Sequence, residues 1–276
     1  MISSQTVMQF LNSLAEQPVS SGLQTAREFR QVAAMDIQDI RLTPALDLDQ
    51  IRATYAAQRF VQIPNVFADE TAQQIEQILR QETPWHLIYV EPGTGVVQLS
   101  QADIEAMAPA EFQNRMNLVM QAATQNIGFC YSGYQMNHAL QDGADPHLRL
   151  HTITRFLNSR AFLALGEAII SETGISKVDA QAAFFNRGHF LTRHIDEGGA
   201  QQLRAAYTLG FSRGWQTDWG GQLQFIDRET TDVTSAWIPR WNTLTVFDGR
   251  LVHSVSPVSN FAGDGRYSIV GWFRND

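Results

Sequence analysis

Cysteine is almost absent from this chain: Cys130 is the only one in 276 residues. An intrachain disulfide is therefore excluded, and so is a cysteine-rich zinc site. Long apolar runs are missing too, since no uncharged stretch approaches the roughly 20 residues needed to cross a bilayer. The first 22 residues lack a basic start and interrupt their apolar residues with Asn12, Glu16 and Gln17, so they read poorly as a signal peptide. A reducing, cytoplasmic setting is the expectation. Positive charge is also short, with 20 Lys and Arg against 28 Asp and Glu and a formal net charge of -8. Because non-specific nucleic-acid affinity comes largely from Lys and Arg, no nucleic-acid partner is expected. No membrane partner is expected either.

What is present has the composition of a soluble globular protein, 44% apolar and 17% charged, and the length to bury a substantial core. Residues 1–180 read as an α-rich support region, with helical spacing and much Ala, Gln, Leu and Met. Residues 69–81 place Ala72, Ile75, Ile78 and Leu79 near one stripe of an amphipathic helix. Residues 159–173 read the same way, with Ser159 as N-cap and Gly174 just past the end. Residues 59–67 read as a short strand and turn. From 181 the texture changes to short strands, at 182–186, 190–195, 203–211, 222–226, 243–247, 252–255 and 267–274. Thr243 to Val246 alternate polar and apolar, the period of a half-buried strand. Asp218-Trp219-Gly220-Gly221 supplies the glycines of a hairpin. There is no internal repeat and no convincing linker. One domain over 1–276 is expected, with 181–276 a β sandwich or barrel such as a jelly roll.

Seven histidines are present, and only His194 has a carboxylate two positions on, in His194-Ile195-Asp196. On a strand, residues two apart share a face, so both side chains can reach one metal. His253, in a later strand, completes two imidazoles and one carboxylate, the facial triad of non-haem Fe(II) oxygenases. Arg266 begins the strand that follows. A permanently charged guanidinium beside the metal ligands suits a dicarboxylic acid.

Five motifs in order resemble the prolyl 4-hydroxylase-like branch of the Fe(II)/2-oxoglutarate-dependent dioxygenase superfamily. They are Gly188-His-Phe-Leu-Thr-Arg-His194-Ile-Asp196, Ala206-Tyr-Thr-Leu209, Trp219-Gly-Gly-Gln-Leu223, the run from Phe247 through His253 to Val258, and Gly265-Arg266 through Trp272-Phe273. The resemblance covers about residues 181–274 and implies a double-stranded β-helix with supporting helices. It implies Fe(II) on His194, Asp196 and His253, with Arg266 on the distal carboxylate of 2-oxoglutarate. Oxidative decarboxylation by O2 to succinate and CO2 would then drive substrate hydroxylation, with ascorbate as a candidate reductant. Relatives often use a tyrosine after the first ligands; that position falls on Thr208, with Tyr207 adjacent. A second such tyrosine is replaced by Phe184 and Phe185, which would shape the pocket by contact.

Other residues have plainer readings. His147 and His151, four apart, would share a face if Asp145-Pro146 opens a helix, but packing is the better reading. His189 reads as a rim residue and Asp248 as either a ligand-orienting group or a turn residue. The six tryptophans read as core or pocket wall, and Cys130 as a small buried apolar residue. The leading expectation is hydroxylation of a prolyl or other side chain in a peptide or protein. A small-metabolite hydroxylase and a non-catalytic binding module on the same scaffold are the alternatives. Asp196 argues against a halogenase because it fills the position a halide would need.

Overall fold

The computed structural model describes residues 36–196 and 202–276. The signal-peptide reading and the start of the α-rich region lie outside these residues. After a short 3-10 turn come helix α1 (Leu48–Gln58), strand β1 (Phe60–Pro64) and helix α2 (Asp69–Gln81). A hairpin of β2 (His86–Glu91) and β3 (Gly95–Leu99) leads through α3 (Gln101–Ala106) and α4 (Pro109–Ala123) to β4 (Phe129–Gln135). Helices α5 (Met136–Asp142), α6 (Leu150–Leu157) and α7 (Arg160–Ile170) follow. The remainder is strand: β5 (Lys177–Val178), β6 (Gln181–Phe185), β7 (Phe190–His194), β8 (Leu203–Gly210) and β9 (Leu223–Ile226). Last come β10 (Val233–Trp237), β11 (Thr243–Phe247), β12 (His253–Val255) and β13 (Arg266–Arg274).

The main sheet runs β1-β11-β8-β13-β6-β4-β7-β12-β9-β10. Phe60 at its β1 end stacks on Phe225 of β9 at 4.7 Å and meets Trp237 of β10 edge-on at 4.8 Å. The two ends of the path therefore meet, and the sheet curls into a double-stranded β-helix. Its outer face is covered by α2, α6 and α7. The α2 stripe of Ala72, Ile75, Ile78 and Leu79 is fully buried, as its spacing requires. It joins Leu209, Leu244, Val246, Ile269 and Phe273 in the largest core cluster. Among the described residues no helix is long and apolar enough to cross a membrane.

Several local expectations are corrected. The first 180 residues are not simply helical, because β1 to β5 lie within them and β4 is buried almost throughout. A strand covered on both faces carries no alternation, so β4 resembles a buried helix in sequence. The strand at 243–247 is in place, but it is not half-buried: every residue is buried, so its alternation marks no wet face. Gly220 and Gly221 (φ 67° and 62°) do not turn a hairpin. They follow a 3-10 turn on the crossover from β8, which pairs with β11 and β13, to β9, which pairs with β10 and β12. The expected helix at 159–173 stops at Ile170, where Ser171 takes the left-handed conformation (φ 57°), and Ser159 makes no side-chain capping bond. β10 was not anticipated: it is a largely exposed edge strand paired only to β9.

Leu244 is fully buried against the helices and remote from the barrel interior. Leu244→Ala is expected to destabilise the fold by about 2–5 kcal/mol. A lower denaturation midpoint with an unchanged denaturant slope would verify it.

Candidate metal centre

His194 ends β7 and stands directly opposite His253 of β12 in the antiparallel ladder. A bulge displaces the next pair to Val255 and Leu191. Asp196 follows two residues after His194, and its backbone N–H donates to Gly249 O at 2.8 Å. His194, Asp196 and His253 thereby bring one ligand atom each within 4.8 Å of one another. Asp196 Oδ1 lies 3.6 Å from His194 Nε2 and 3.7 Å from His253 Nε2.

The tautomers follow from the hydrogen bonds. His194 Nδ1 lies 2.9 Å from the Thr192 carbonyl, and His253 Nδ1 lies 2.8 Å from the Leu251 carbonyl. A carbonyl only accepts, so Nδ1 carries the proton and each Nε2 presents a lone pair to the common centre. Burial, reinforced by the neighbouring His253, drives the His194 imidazole down to about 4 against the pull of Asp196. It is therefore neutral at pH 7, as a ligand must be. Trp272 Nε1 donates to Asp196 Oδ2 at 2.9 Å, leaving Oδ1 for the centre. This donor set of two imidazoles and one carboxylate fits Fe(II) with positions left open.

The turn that carries Gly249 and Leu251 is tied down by Asp248. Its carboxylate accepts from Arg59 (2.8 Å) and Arg250 (2.6 Å). Burial alone would raise the Asp248 carboxyl, but these two arginines hold it well below the usual carboxylate range. Asp248 thus acts at one remove: it fixes the backbone carbonyls that orient Asp196 and His253.

A cavity of about 110 Å³ extends from the triad into the barrel, its wall almost wholly apolar. Arg266 enters it from the start of β13 and is 5% exposed. Its guanidinium carbon lies 5.1 Å over the Phe185 ring, and its Nη1 is buried without a hydrogen-bond partner among the described residues. Burial without a counter-ion pulls the guanidinium down to about 10, so it stays charged at neutral pH. A buried, unpaired cation in an apolar cavity is a costly arrangement that an anion would relieve.

Thr208 also lines the cavity. The adjacent Tyr207 has its ring in the outer core, edge-on to Phe162, and its hydroxyl donates to Asp179 O at 2.8 Å. Of the two phenylalanines, Phe185 lines the cavity, whereas Phe184 points outward and stacks on Tyr267 at 4.5 Å. Adjacent strand residues face opposite ways, so only one of the pair could shape the pocket. His151 is packed inside, its Nε2 against the Ala144 and Asp145 carbonyls. Asp145-Pro146 forms a turn before α6, not its first residues, and His147 precedes the helix. His189 accepts from the Asn186 N–H and is not among the clustered donors. Sequence reading missed Trp272 as a partner of Asp196. Its place six residues after Arg266, on the same face of β13, was the available signal. It also missed Tyr131 on β4, whose hydroxyl accepts from Gln181 in the cavity wall.

Residues 180–274 match the family model described as the 2OG-Fe(II) oxygenase superfamily. Over those residues, the strand-rich C-terminal part, the chain is similar to that superfamily. Its members use Fe(II) and 2-oxoglutarate, and the His-Asp-His cluster is the metal site that chemistry requires. No curated protein matches the chain by sequence. Solved structures of similar fold include a 2OG-Fe(II) oxygenase family oxidoreductase from Burkholderia pseudomallei, at 11% identity and a TM-score of 0.56 over 86% of this chain and 94% of that one. Another is a prolyl hydroxylase from Trichoplax adhaerens in complex with a hypoxia inducible factor oxygen degradation domain peptide fragment. It has 15% identity and a TM-score of 0.52 over 83% of this chain and 89% of that one. At these identities the likeness speaks for the fold.

Two substitutions probe how this centre holds its carboxylate. Trp272→Phe removes the indole donor to Asp196 Oδ2. Gly249→Ala would place a methyl 2.8 Å from Asp196 Cβ. Each is expected to weaken Mn(II) binding by roughly 10–100-fold, measured by calorimetry.

Proposed function

We propose that this enzyme hydroxylates a prolyl side chain in a peptide or protein, with His194, Asp196 and His253 holding Fe(II) and Arg266 holding 2-oxoglutarate. The observation that carries the co-substrate reading is the unpaired, buried Arg266 guanidinium sharing one cavity with the triad. A keto acid with a carboxylate at each end suits that pair of sites, one end at the metal and the other at a planar, bidentate cation. The oxidising chemistry, in which the keto acid is converted to succinate and CO2 while a substrate C–H becomes C–OH, would come from bound Fe(II), 2-oxoglutarate and O2.

The chain's own residues do the positioning. The two Nε2 lone pairs and Asp196 Oδ1 are presented by backbone-fixed side chains. Thr208 supplies the hydroxyl on the cavity face of β8, while the Tyr207 hydroxyl is spent on Asp179. Phe129, Phe185, Phe247 and Val255 line the cavity and exclude water from the reacting centre. A cavity of about 110 Å³ matches a small acid, not a peptide, so a larger substrate would be met at its mouth. The prolyl substrate rests on the fold likeness to the Trichoplax enzyme and its peptide complex. We further infer that residues 1–276 act as one catalytic domain.

Addition of 2-oxoglutarate to anaerobic Fe(II)-loaded protein should produce the visible charge-transfer band of a chelated keto acid. Asp196→Ala should abolish the band, and Arg266→Ala should require at least about 30-fold more 2-oxoglutarate. Iron-loaded wild-type protein with no band would sink the reading. Proline-containing peptides should then gain one oxygen by mass spectrometry in step with succinate release. Turnover confined to free amino acids would move the substrate to the small-metabolite class.

A further inference from the structure

Arg266 has no polar contact of its own to set its direction among the described residues, so its aim must come from the backbone on either side of it. Both sides are gripped by one residue. Arg80, near the end of α2, donates from Nη1 and Nη2 to the two carboxylate oxygens of Asp264, at 3.1 and 2.6 Å. Asp264 lies two residues before Arg266, and its Oδ1 also accepts from the Gly265 N–H at 2.7 Å. On the other side, the Arg80 guanidinium sits 4.4 Å over the ring of Tyr267, the residue directly after Arg266.

That bracket is itself fixed. Arg80 Nε donates to Glu76 one turn earlier at 3.1 Å, and the other Glu76 oxygen accepts from Arg213 at 2.6 Å and Trp241 at 3.0 Å. The Tyr267 ring is stacked on Phe184, and its N–H donates to Ser212 Oγ at 3.0 Å. Gly265 lies so close to the Phe184 ring that a Cβ there would overlap it. α2 is in turn anchored by its buried stripe. The chain of contacts thus runs from the helical core through Arg80 to the backbone that carries the buried guanidinium.

We propose that Arg80 is a positioning residue for 2-oxoglutarate: it acts through Asp264 and Tyr267 to hold Arg266 in the register that meets the distal carboxylate. The inference rests on the co-substrate role of Arg266 proposed above. A planar fork pairs well with a carboxylate only over a narrow range of geometry, and a misplacement of about 1 Å can cost on the order of 100-fold. A brace outside the cavity is therefore expected to govern affinity for the acid without touching it.

The test is calorimetric titration of 2-oxoglutarate into Mn(II)-loaded full-length protein, with the Mn(II) affinity measured separately. Arg80→Met and Asp264→Asn should each raise the 2-oxoglutarate Kd about tenfold. The double variant should be no worse than either alone, and Mn(II) affinity should stay at the wild-type value. Arg160→Ala, which cuts the ion pair to Glu167 and touches no member of this bracket, should leave the 2-oxoglutarate Kd unchanged. Arg80→Lys should recover part of the loss. Wild-type affinity for 2-oxoglutarate in both Arg80→Met and Asp264→Asn would overturn the brace while leaving the role of Arg266 intact. A parallel loss of Mn(II) and 2-oxoglutarate binding would overturn it as a mere fold defect. Wild-type protein that binds Mn(II) but not 2-oxoglutarate would overturn the co-substrate reading together with this inference.

Discussion

His194 and His253 face each other across the β7–β12 ladder, and the geometry of the centre depends on that register. A slip of one residue would turn either imidazole to the outside, because neighbouring strand residues point to opposite faces. The register is held from two directions. β12 is paired on its other edge to β9, where His253 lies opposite Phe225. The Asp248–Leu251 turn meanwhile fastens Asp196 and His253 through backbone carbonyls. The bulge beside the histidine pair displaces the next pairing, a common device where a strand must aim a side chain into a site.

The two charged ends of the cavity are held from outside by arginines of the N-terminal part. Arg59, just after α1, reaches the Asp248 turn behind the metal ligands. Arg80, on α2, reaches Asp264 beside Arg266. In both places an arginine pairs with a partly buried carboxylate on a connection of the barrel, where a loop would otherwise choose among conformations. The helical region therefore does more than cover the sheet. Its apolar stripes supply burial, and its arginines transmit that rigidity to the loops on which the site depends.

The cavity combines two imidazoles, one carboxylate and an unpaired guanidinium within an apolar wall. Removing water strengthens every electrostatic interaction inside. The same apolar wall leaves the buried Arg266 guanidinium without a hydrogen-bond partner for Nη1 among the described residues, a costly arrangement. The aromatic lining and the arginine braces surround that group with fixed neighbours.

The His194-Ile195-Asp196 spacing, the later His253 and the charged start of β13 were legible because they depend only on strand period and side-chain chemistry. The α2 stripe was legible for the same kind of reason, since a helix with one wet face must repeat. Buried strands were harder: β4 is covered on both faces and carries no alternation to read, while the alternation of β11 marked the strand but not the burial of both its faces. Gly220 and Gly221 announced a turn but not which strands it would join, because pairing partners far apart in sequence are chosen by the whole sheet. The division between Phe184 and Phe185, and between Tyr207 and Thr208, required knowing which face of each strand looks inward. The bond from Trp272 to Asp196 spans 76 residues, and the pair of Arg80 with Asp264 spans 184. The local code therefore determined which groups can bind a metal and a dicarboxylic acid. Only the tertiary structure decided where they meet and what holds them there, because contacts between distant segments depend on how the sheet closes and which helix covers it.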